Sequence, residues 1–269
     1  MALPSNLPQR NYIQGFWKLD ETSGTRYDET DNSYDLTDLN TVLYDTGKIG
    51  NAAKFQAANS EYLSIADDLG ITGGAISISL WVKNLSEISA NTYTFALQQD
   101  DGVDVYYSIQ YVYNGGTRLI VFRRTKCGVA VQGISYTATM GTSDWYHLVL
   151  TYDNTNIKGY VNNSLKDTVA ASGNGTGTNA DAFYIGGFGT ANYYASSLID
   201  EVIVWNTALT AAEVSTVYGI TEYKYAGGIM NWFFIGNALD KGKKYFKNKG
   251  LYLPDDRTSS DRLFKPAII

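Results

Sequence analysis

The feature that most limits the fold is a period-two alternation of apolar and polar side chains, repeated in short runs with turn-forming clusters between them. GAISISLWVK (74–83) sets Ile76, Ile78, Leu80 and Val82 against Ser77, Ser79, Trp81 and Lys83, the pattern of a strand with two unlike faces. DVYYSIQYVY (104–113), RLIVFRR (118–124), WYHLVLTYD (145–153) and IKGYV (157–161) continue the series. Asn162-Asn163 follows the last of them, and Asn tolerates the positive φ of a tight hairpin turn. Helical periodicity is nearly absent before residue 200, so an all-β sandwich or barrel is predicted. One helix is expected at ALTAAEVSTVYG (208–219), where Thr210 and Glu213 have capping-box spacing and Gly219 can close the C-terminal end. No internal repeat is visible.

A chain of 269 residues with 44% apolar content can bury a full core, as one large β-domain or a domain with an appendage. No stretch approaches the roughly 18 continuous apolar residues of a membrane span. The N-terminal MALPSNLPQRNYIQGFW carries Pro4 and Pro8 and lacks the apolar segment of a secretory signal. The chain is therefore expected to stay in the cytoplasm where it is made, or to leave by a route that needs no signal, such as release of virus particles by lysis. Cys127 is the only cysteine, which excludes an internal disulfide and any multi-cysteine metal site. Residues 1–219 hold 12 Lys+Arg against 22 Asp+Glu, and residues 220–269 hold nine against five. The acidic body argues against nucleic acid as a partner, while the basic tail suits an acidic one.

SLIDEVIVWN (197–206) places Asp200 and Glu201 inside a run that otherwise reads as a buried strand. Strict alternation puts Leu198, Asp200, Val202 and Val204 on one face and Ile199, Glu201, Ile203 and Trp205 on the other. One carboxylate then points into the core whichever face is buried, and it must be hydrogen-bonded, paired or metal-bound. Loop N–H groups or a nearby Lys or Arg, a Ca²⁺ ion, and catalysis are the three ways to use it. Trp81, Trp145 and Trp205 are expected to fill the space between two sheets, and His147, alternating with Val149, to be a satisfied structural residue.

The order of WKLDETSGTRYDETDNS (17–33), GKIGNAAKFQAANSEYLSI (47–65), SISLWVK (77–83), DWYHLVLTYDNTNIKGYVNNSL (144–165), FYIGG (183–187) and SLIDEVIVWNTALTAAEVSTVYG (197–219) resembles the laminin-G-like, concanavalin A-like jelly-roll modules. The resemblance implies an all-β, two-sheet antiparallel jelly-roll sandwich, with N- and C-terminal parts meeting in one region. It divides the chain into an N-terminal arm (1–11), a jelly roll (12–219) and a basic, aromatic-rich C-terminal extension (220–269). Many members of the family hold Ca²⁺ near the sandwich edge. Carried over, its ligands would come from Asp20, Glu21, Asp28, Asp31, Asn32, Asp200 and Glu201. The expectation for a cofactor is thus calcium or none, and the spacing matches no self-contained calcium loop.

Some relatives with this architecture are glycosidases, which need two carboxylates about 5 to 10 Å apart across an open cleft. Consecutive Asp200 and Glu201 point to opposite faces of a regular strand, and no Ser/His/Asp triad or Cys/His dyad is persuasive with one His and one Cys. A non-enzyme is expected. GGFGTANYYASS (186–197) offers Phe188, Asn192, Tyr193 and Tyr194, and YYSIQYVYNGG (106–116) offers Tyr106 among four tyrosines. Such residues give the flat apolar faces and hydrogen-bonding groups that sugars require. The extension holds Ile229, Met230, Trp232, Phe233, Phe234 and Ile235, followed by five lysines in KGKKYFKNK (241–249), a segment to pack on its own domain, to dock on another subunit or to lie on a membrane surface. Together these readings predict an accessory structural protein of a phage virion, a capsid decoration or tail appendage. It would be oligomeric in the assembly, anchored to other virion subunits by its extension, and would display a lectin-like domain to host-surface glycans. The alternative is a glycan-binding module of a bacterial surface or secreted protein.

Overall fold

The computed structural model of the protein describes residues 3–67, 69–71, 74–88, 92–99, 105–124, 132–171, 182–188 and 193–222. Among these, fifteen strands run in chain order: β1 (Ile13–Trp17), β2 (Thr37–Leu39), β3 (Leu43–Thr46), β4 (Asn51–Phe55), β5 (Tyr62–Ile65), β6 (Ile76–Asn84), β7 (Thr92–Gln99) and β8 (Val105–Asn114), then β9 (Thr117–Arg124), β10 (Gln132–Thr137), β11 (Tyr146–Tyr152), β12 (Asn156–Val161), β13 (Ser164–Ala170), β14 (Ala182–Ile185) and β15 (Ser197–Trp205). One helix, α1 (Ala211–Glu222), follows. The chain divides into two compact units, 1–224 and 225–269. The docking residues expected in the extension, Ile229 to Ile235, lie outside the described residues.

The strands form two antiparallel sheets, as the alternation predicts. One has the order β13-β12-β11-β6-β15-β4-β3, with β1 paired to β15, and the other the order β10-β9-β8-β7-β14-β5-β2. Pairing of β1 with β15 joins Phe16 to Ile203 and Trp17 to Val202, so the early and late parts of the chain do meet. Between the sheets, Ile76, Ile78, Leu80 and Val82 of β6 face Ile120 and Phe122 of β9 and Phe183 and Ile185 of β14 in one apolar core. Asn162 and Asn163 both have positive φ, 48° and 62°, which fits the two-residue turn that joins β12 to β13.

A second apolar layer lies on the outer side of the eight-stranded sheet. Ile13, Phe16, Val149, Tyr160, Ile203 and Trp205 pack there against Leu7, Leu209, Val214 and Val217, so the helix and the N-terminal segment form a cover. Thr210 begins the helix with the expected box. Its backbone N–H donates to Glu213 Oε2 at 2.8 Å, and the Glu213 N–H donates back to Thr210 Oγ1 at 3.3 Å. Gly219 does not end the helix, which continues to Glu222. Arg10 to Tyr12 form a short 3-10 turn, and Trp205 Nε1 donates to the Pro8 carbonyl at 3.2 Å. The segment read as an arm is thus tied to the sheet.

The expected role of the tryptophans needs correction. Trp81 and Trp205 are buried, but beneath the helical cover rather than between the sheets, because on β6 and β15 they alternate with the residues that face the main core. Trp145 is only partly buried. Trp17 is the indole between the sheets. It is fully buried, stacks on Phe183 at 5.3 Å and donates from Nε1 to the Tyr34 carbonyl at 2.8 Å. Replacing Trp17 with Ala is expected to lower stability by about 3–5 kcal/mol, read from the urea unfolding midpoint, while Trp145→Ala costs less than about 1 kcal/mol. Equal losses at the two positions would contradict this account of the core.

Candidate functional site

Two regions collect the residues expected to carry function, an acidic edge around β15 and an aromatic face on the seven-stranded sheet. At the first, strict alternation fails. The register of β15 against β6 shifts between Asp200 and Ile203, and Glu201 has φ 49°, the signature of a β-bulge. Ile199, Val202 and Val204 therefore share the inter-sheet face, with Ile203 and Trp205 opposite. This corrects the two faces expected from sequence, because the bulge at Glu201 absorbs one residue. Asp200 and Glu201 are both buried, at 0% and 1% exposure, and so do not line an open cleft.

Asp200 holds the turn between β3 and β4. Its Oδ2 accepts the Ile49 N–H at 2.9 Å, and the turn closes through the Gly47 N–H to the Gly50 carbonyl at 3.0 Å. Asp20 pins the far side of the same turn, where its Oδ1 accepts the Asn51 N–H at 2.8 Å. Gly50 has φ +61°, and a Cβ there would collide with Asp20 Oδ1, so the turn requires glycine. Asp200 Oδ1 has no hydrogen-bond partner. Burial, reinforced by the charges of Glu201 and Asp20 against the opposing backbone donors, pushes the Asp200 pKa up to about 8.

The seven expected calcium ligands fall into three groups. Asp20 and Asp200 hold the 47–50 turn, and Glu201 follows Asp200 on β15, where its charge helps raise the Asp200 pKa. Glu21 accepts the Tyr27 N–H and faces the buried Arg26 guanidinium. Asp28 organises its own loop by accepting the Phe16, Thr30 and Tyr34 N–H groups. Beside it, Asp31 is exposed and the Asn32 side chain donates to the Gln14 carbonyl at 2.8 Å. Among the described residues no three acidic, His or Cys side chains converge as metal ligands. Asp20, Glu21 and Asp28 thus serve different turns, while Asp200 Oδ1 stands without a hydrogen-bond partner.

On the same outer side of the eight-stranded sheet, His147 sits opposite Trp81 on β6. It is fully buried, contacts Ser79 Oγ through Nε2 at 2.8 Å and packs on Trp81 and Tyr218. Burial, with a smaller contribution from Lys48, pushes its pKa down to about 3. A buried, neutral imidazole is a packing residue, as its alternation with Val149 suggested, but it is not fully satisfied, since its Nδ1 has no hydrogen-bond partner.

The second region is built by alternation. On β14, Phe183 and Ile185 face the core, so Tyr184 faces outward, and on β5 Leu63 faces the core and Tyr62 outward. The loop entering β15 adds Tyr193 and Tyr194, and Phe188 follows β14. The rings form a chain, from Tyr194 to Tyr62 (6.1 Å), Tyr62 to Tyr184 (6.0 Å), Tyr184 to Phe188 (6.3 Å) and Phe188 to Tyr193 (4.7 Å). All five are partly exposed. A Cβ on Gly187 would lie 2.6 Å from Tyr194 Cδ1, so this glycine lets the ring close onto the strip. Arg123, on β9, feels the Tyr193 phenol, and burial lowers its pKa.

Of the five expected glycan residues, the structure brings Phe188, Tyr193 and Tyr194 together. Asn192 lies outside the described residues, as does the side chain of Tyr106. The tyrosines near Tyr106 behave differently from the expectation for that stretch, since Tyr107 and Tyr111 are buried in the inter-sheet core. Tyr62 and Tyr184 were missed. The signal was present, because each alternates with core residues on a short strand and so must face outward.

The family model described as the concanavalin A-like lectin/glucanases superfamily matches residues 57–215. The chain belongs to this family. A search of the curated proteins gave no match. Among solved structures, the chain is similar to Domain 4 of AbnA, a GH43 extracellular arabinanase from Geobacillus stearothermophilus, in complex with arabinotriose. That likeness has 22% identity and a TM-score of 0.59 over 77% of this chain and 98% of that one. It is also similar to the binding domain of botulinum neurotoxin DC in complex with rat synaptotagmin II, at 12% identity and a TM-score of 0.63 over 79% of this chain. A third likeness is to the binding domain of Paraclostridial Mosquitocidal Protein 1, at 14% identity and a TM-score of 0.60 over 78% of this chain. The chain spans about half, 52%, of each toxin binding domain. At these identities the likeness shows the shared fold.

The Asp200 carboxyl generates a test with a defined sign. Folding raises its pKa from the ordinary 3.8 to about 8, so the folded chain keeps a proton that the unfolded chain releases. That contribution to stability is complete below about pH 4 and is lost as pH rises through about 8. In buffer containing a chelator, stability should fall across this window. In Asp200→Asn the amide oxygen can accept the same N–H group, and the slope should flatten. An Asp200→Asn profile as steep as the wild type's would contradict the assignment.

Proposed function

We propose that the chain is a non-catalytic glycan-binding module whose ligand lies along the strip from Tyr194 through Tyr62, Tyr184 and Phe188 to Tyr193. The observation that carries this is five partly exposed rings on one sheet face. Sugar rings present C–H faces that stack on aromatic carbon, and their hydroxyls meet phenol groups at the edge. The ligand of one similar structure, arabinotriose bound to Domain 4 of AbnA, supports a carbohydrate. The similar toxin structures are binding domains, which supports a module that holds rather than cleaves its ligand.

The module in this proposal belongs to a phage virion, as a capsid decoration or tail appendage made in the host cytoplasm. The support is the composition of the extension, where the apolar run Ile229 to Ile235 precedes five lysines. Left in water such a run is adhesive, and a neighbouring virion subunit would cover it. No described helix is long and apolar enough to cross a membrane. Calcium belongs to this proposal at Asp200, where it would neutralise the buried Oδ1. Its test is a melting temperature higher in calcium than in chelator at pH 7, and an unchanged one removes it.

On a printed panel of cell-surface oligosaccharides, Tyr184→Ala and Tyr62→Ala should each weaken binding about tenfold, roughly 1.4 kcal/mol. Tyr27→Ala, at an isolated exposed ring, should not. A chain truncated after Lys224 should still bind the panel but no longer copurify with particles. Sugar binding unaffected by Tyr184→Ala and Tyr62→Ala would overturn the site, and normal incorporation of the truncated chain would overturn the anchor.

A further inference from the structure

Beside the aromatic strip, the outward face of the seven-stranded sheet is polar. On β9, Ile120 and Phe122 face the core while Val121 and Arg123 face outward, and on β10 Ile134 faces the core while Gly133 and Ser135 face outward. These four outward residues line an open groove of about 340 Å³. Gly133 lets β10 close tightly on β9 here, since a Cβ there would lie 2.6 Å from the Phe122 carbonyl oxygen and 3.1 Å from Arg123 Cγ. On the next strand, β8, Ser108 stands directly across from Arg123 and Gln110 across from Val121.

The polar groups of this face are not satisfied among themselves. Ser108 and Gln110 are buried, at 0% and 2% exposure, yet Ser108 Oγ and Gln110 Oε1 have no hydrogen-bond partner. The Gln110 amide nitrogen is used, donating to Thr94 Oγ1 at 3.2 Å. Among the described arginines, Arg10 and Arg26 donate to backbone carbonyls, Arg118 pairs with Glu87 at 3.0 Å and Arg124 lies over the Tyr152 ring at 3.8 Å. Arg123 has no hydrogen bond or ion pair among the described residues, although burial disfavours its charge.

We propose that this groove binds an acidic sugar, with the Arg123 guanidinium holding its carboxylate or sulfate and the Gln110 side-chain oxygen accepting one of its hydroxyls. The complement follows from donor and acceptor chemistry. A guanidinium presents a planar fork of N–H donors that matches an oxyanion with two parallel hydrogen bonds, and Ser135 adds a hydroxyl donor. Gln110 Oε1 can only accept, so it needs an O–H donor. A neutral sugar leaves Arg123 without a counter-charge, and a bare inorganic anion leaves Gln110 without a donor. The proposal rests on the glycan reading above and specifies the ligand at the Tyr193 end of the strip.

The test uses the full chain on an array of oligosaccharides ending in a uronic acid, a sialic acid or a sulfated sugar. Each is printed beside its carboxyl-reduced or desulfated twin. The wild type should bind at least one charged oligosaccharide about tenfold or more tightly than its uncharged twin, and the carboxylate and sulfate arms identify the anion. Arg123→Gln should abolish that preference, and Arg123→Lys should keep part of it, with melting temperatures confirming that both variants fold. Equal binding of charged and uncharged twins, or an Arg123→Gln chain with the wild-type preference, overturns the acidic-sugar site and leaves the glycan reading standing. Absence of binding to every member of the array overturns both.

Discussion

The structure depends on covering β15 from both sides. All nine residues of this strand are buried, and a strand with two apolar faces needs a packed layer on each. One face meets the seven-stranded sheet through Ile199, Val202 and Val204, and the other meets the helix and the N-terminal segment through Ile203 and Trp205. Its hydrogen-bonding edges are occupied as well, by β6 on one side and by β4 and β1 on the other. The helix is therefore part of the fold's closure, held at its start by the Thr210–Glu213 box and by Gln9 donating to Glu213 at 2.6 Å. Burying Asp200 in this strand is costly, and the cost is offset by backbone donors of a turn that glycine makes tight enough to reach it.

This arrangement decides where a ligand can lie. The outer face of the eight-stranded sheet is used by the helical cover and by the packed Trp81, His147 and Tyr218 group. On the opposite sheet the outward face carries aromatic rings at one end and the groove of Arg123 near the other, with Ser108 and Gln110 buried beside that groove. Residues of that face come from β5, β8, β9, β10 and β14, far apart in sequence. A rigid sandwich core between them fixes their spacing without needing contacts among the loops.

The sheet pattern was legible because alternation is a local signal and the core obeys it. Ile76, Ile78, Leu80 and Val82 face inward as written, and Asn162-Asn163 turns the chain where asparagine permits positive φ. The bulge at Glu201 was not legible, since one inserted residue leaves composition unchanged and shows itself only in the pairing with β6. For the same reason the tryptophans were misplaced. Alternation says which residues share a face, but not that the eight-stranded sheet has a second apolar cover. Phe188, Tyr193 and Tyr194 stood out as a cluster in sequence. Tyr62 and Tyr184 did not, because their partners lie on other strands, and the early acidic residues looked like one ligand set because sequence proximity hides that Asp20 and Asp28 serve different turns.

The central claim is that the outward face of the seven-stranded sheet is the ligand surface. Amide hydrogen exchange of the full chain, with and without an oligosaccharide that it binds, tests this without altering a residue. The account predicts slower exchange in peptides covering 62–65, 119–124, 132–137 and 182–188, with no change in 43–54 or 211–222. Protection concentrated at the helix and the 47–50 turn, with the seven-stranded sheet unchanged, would contradict it.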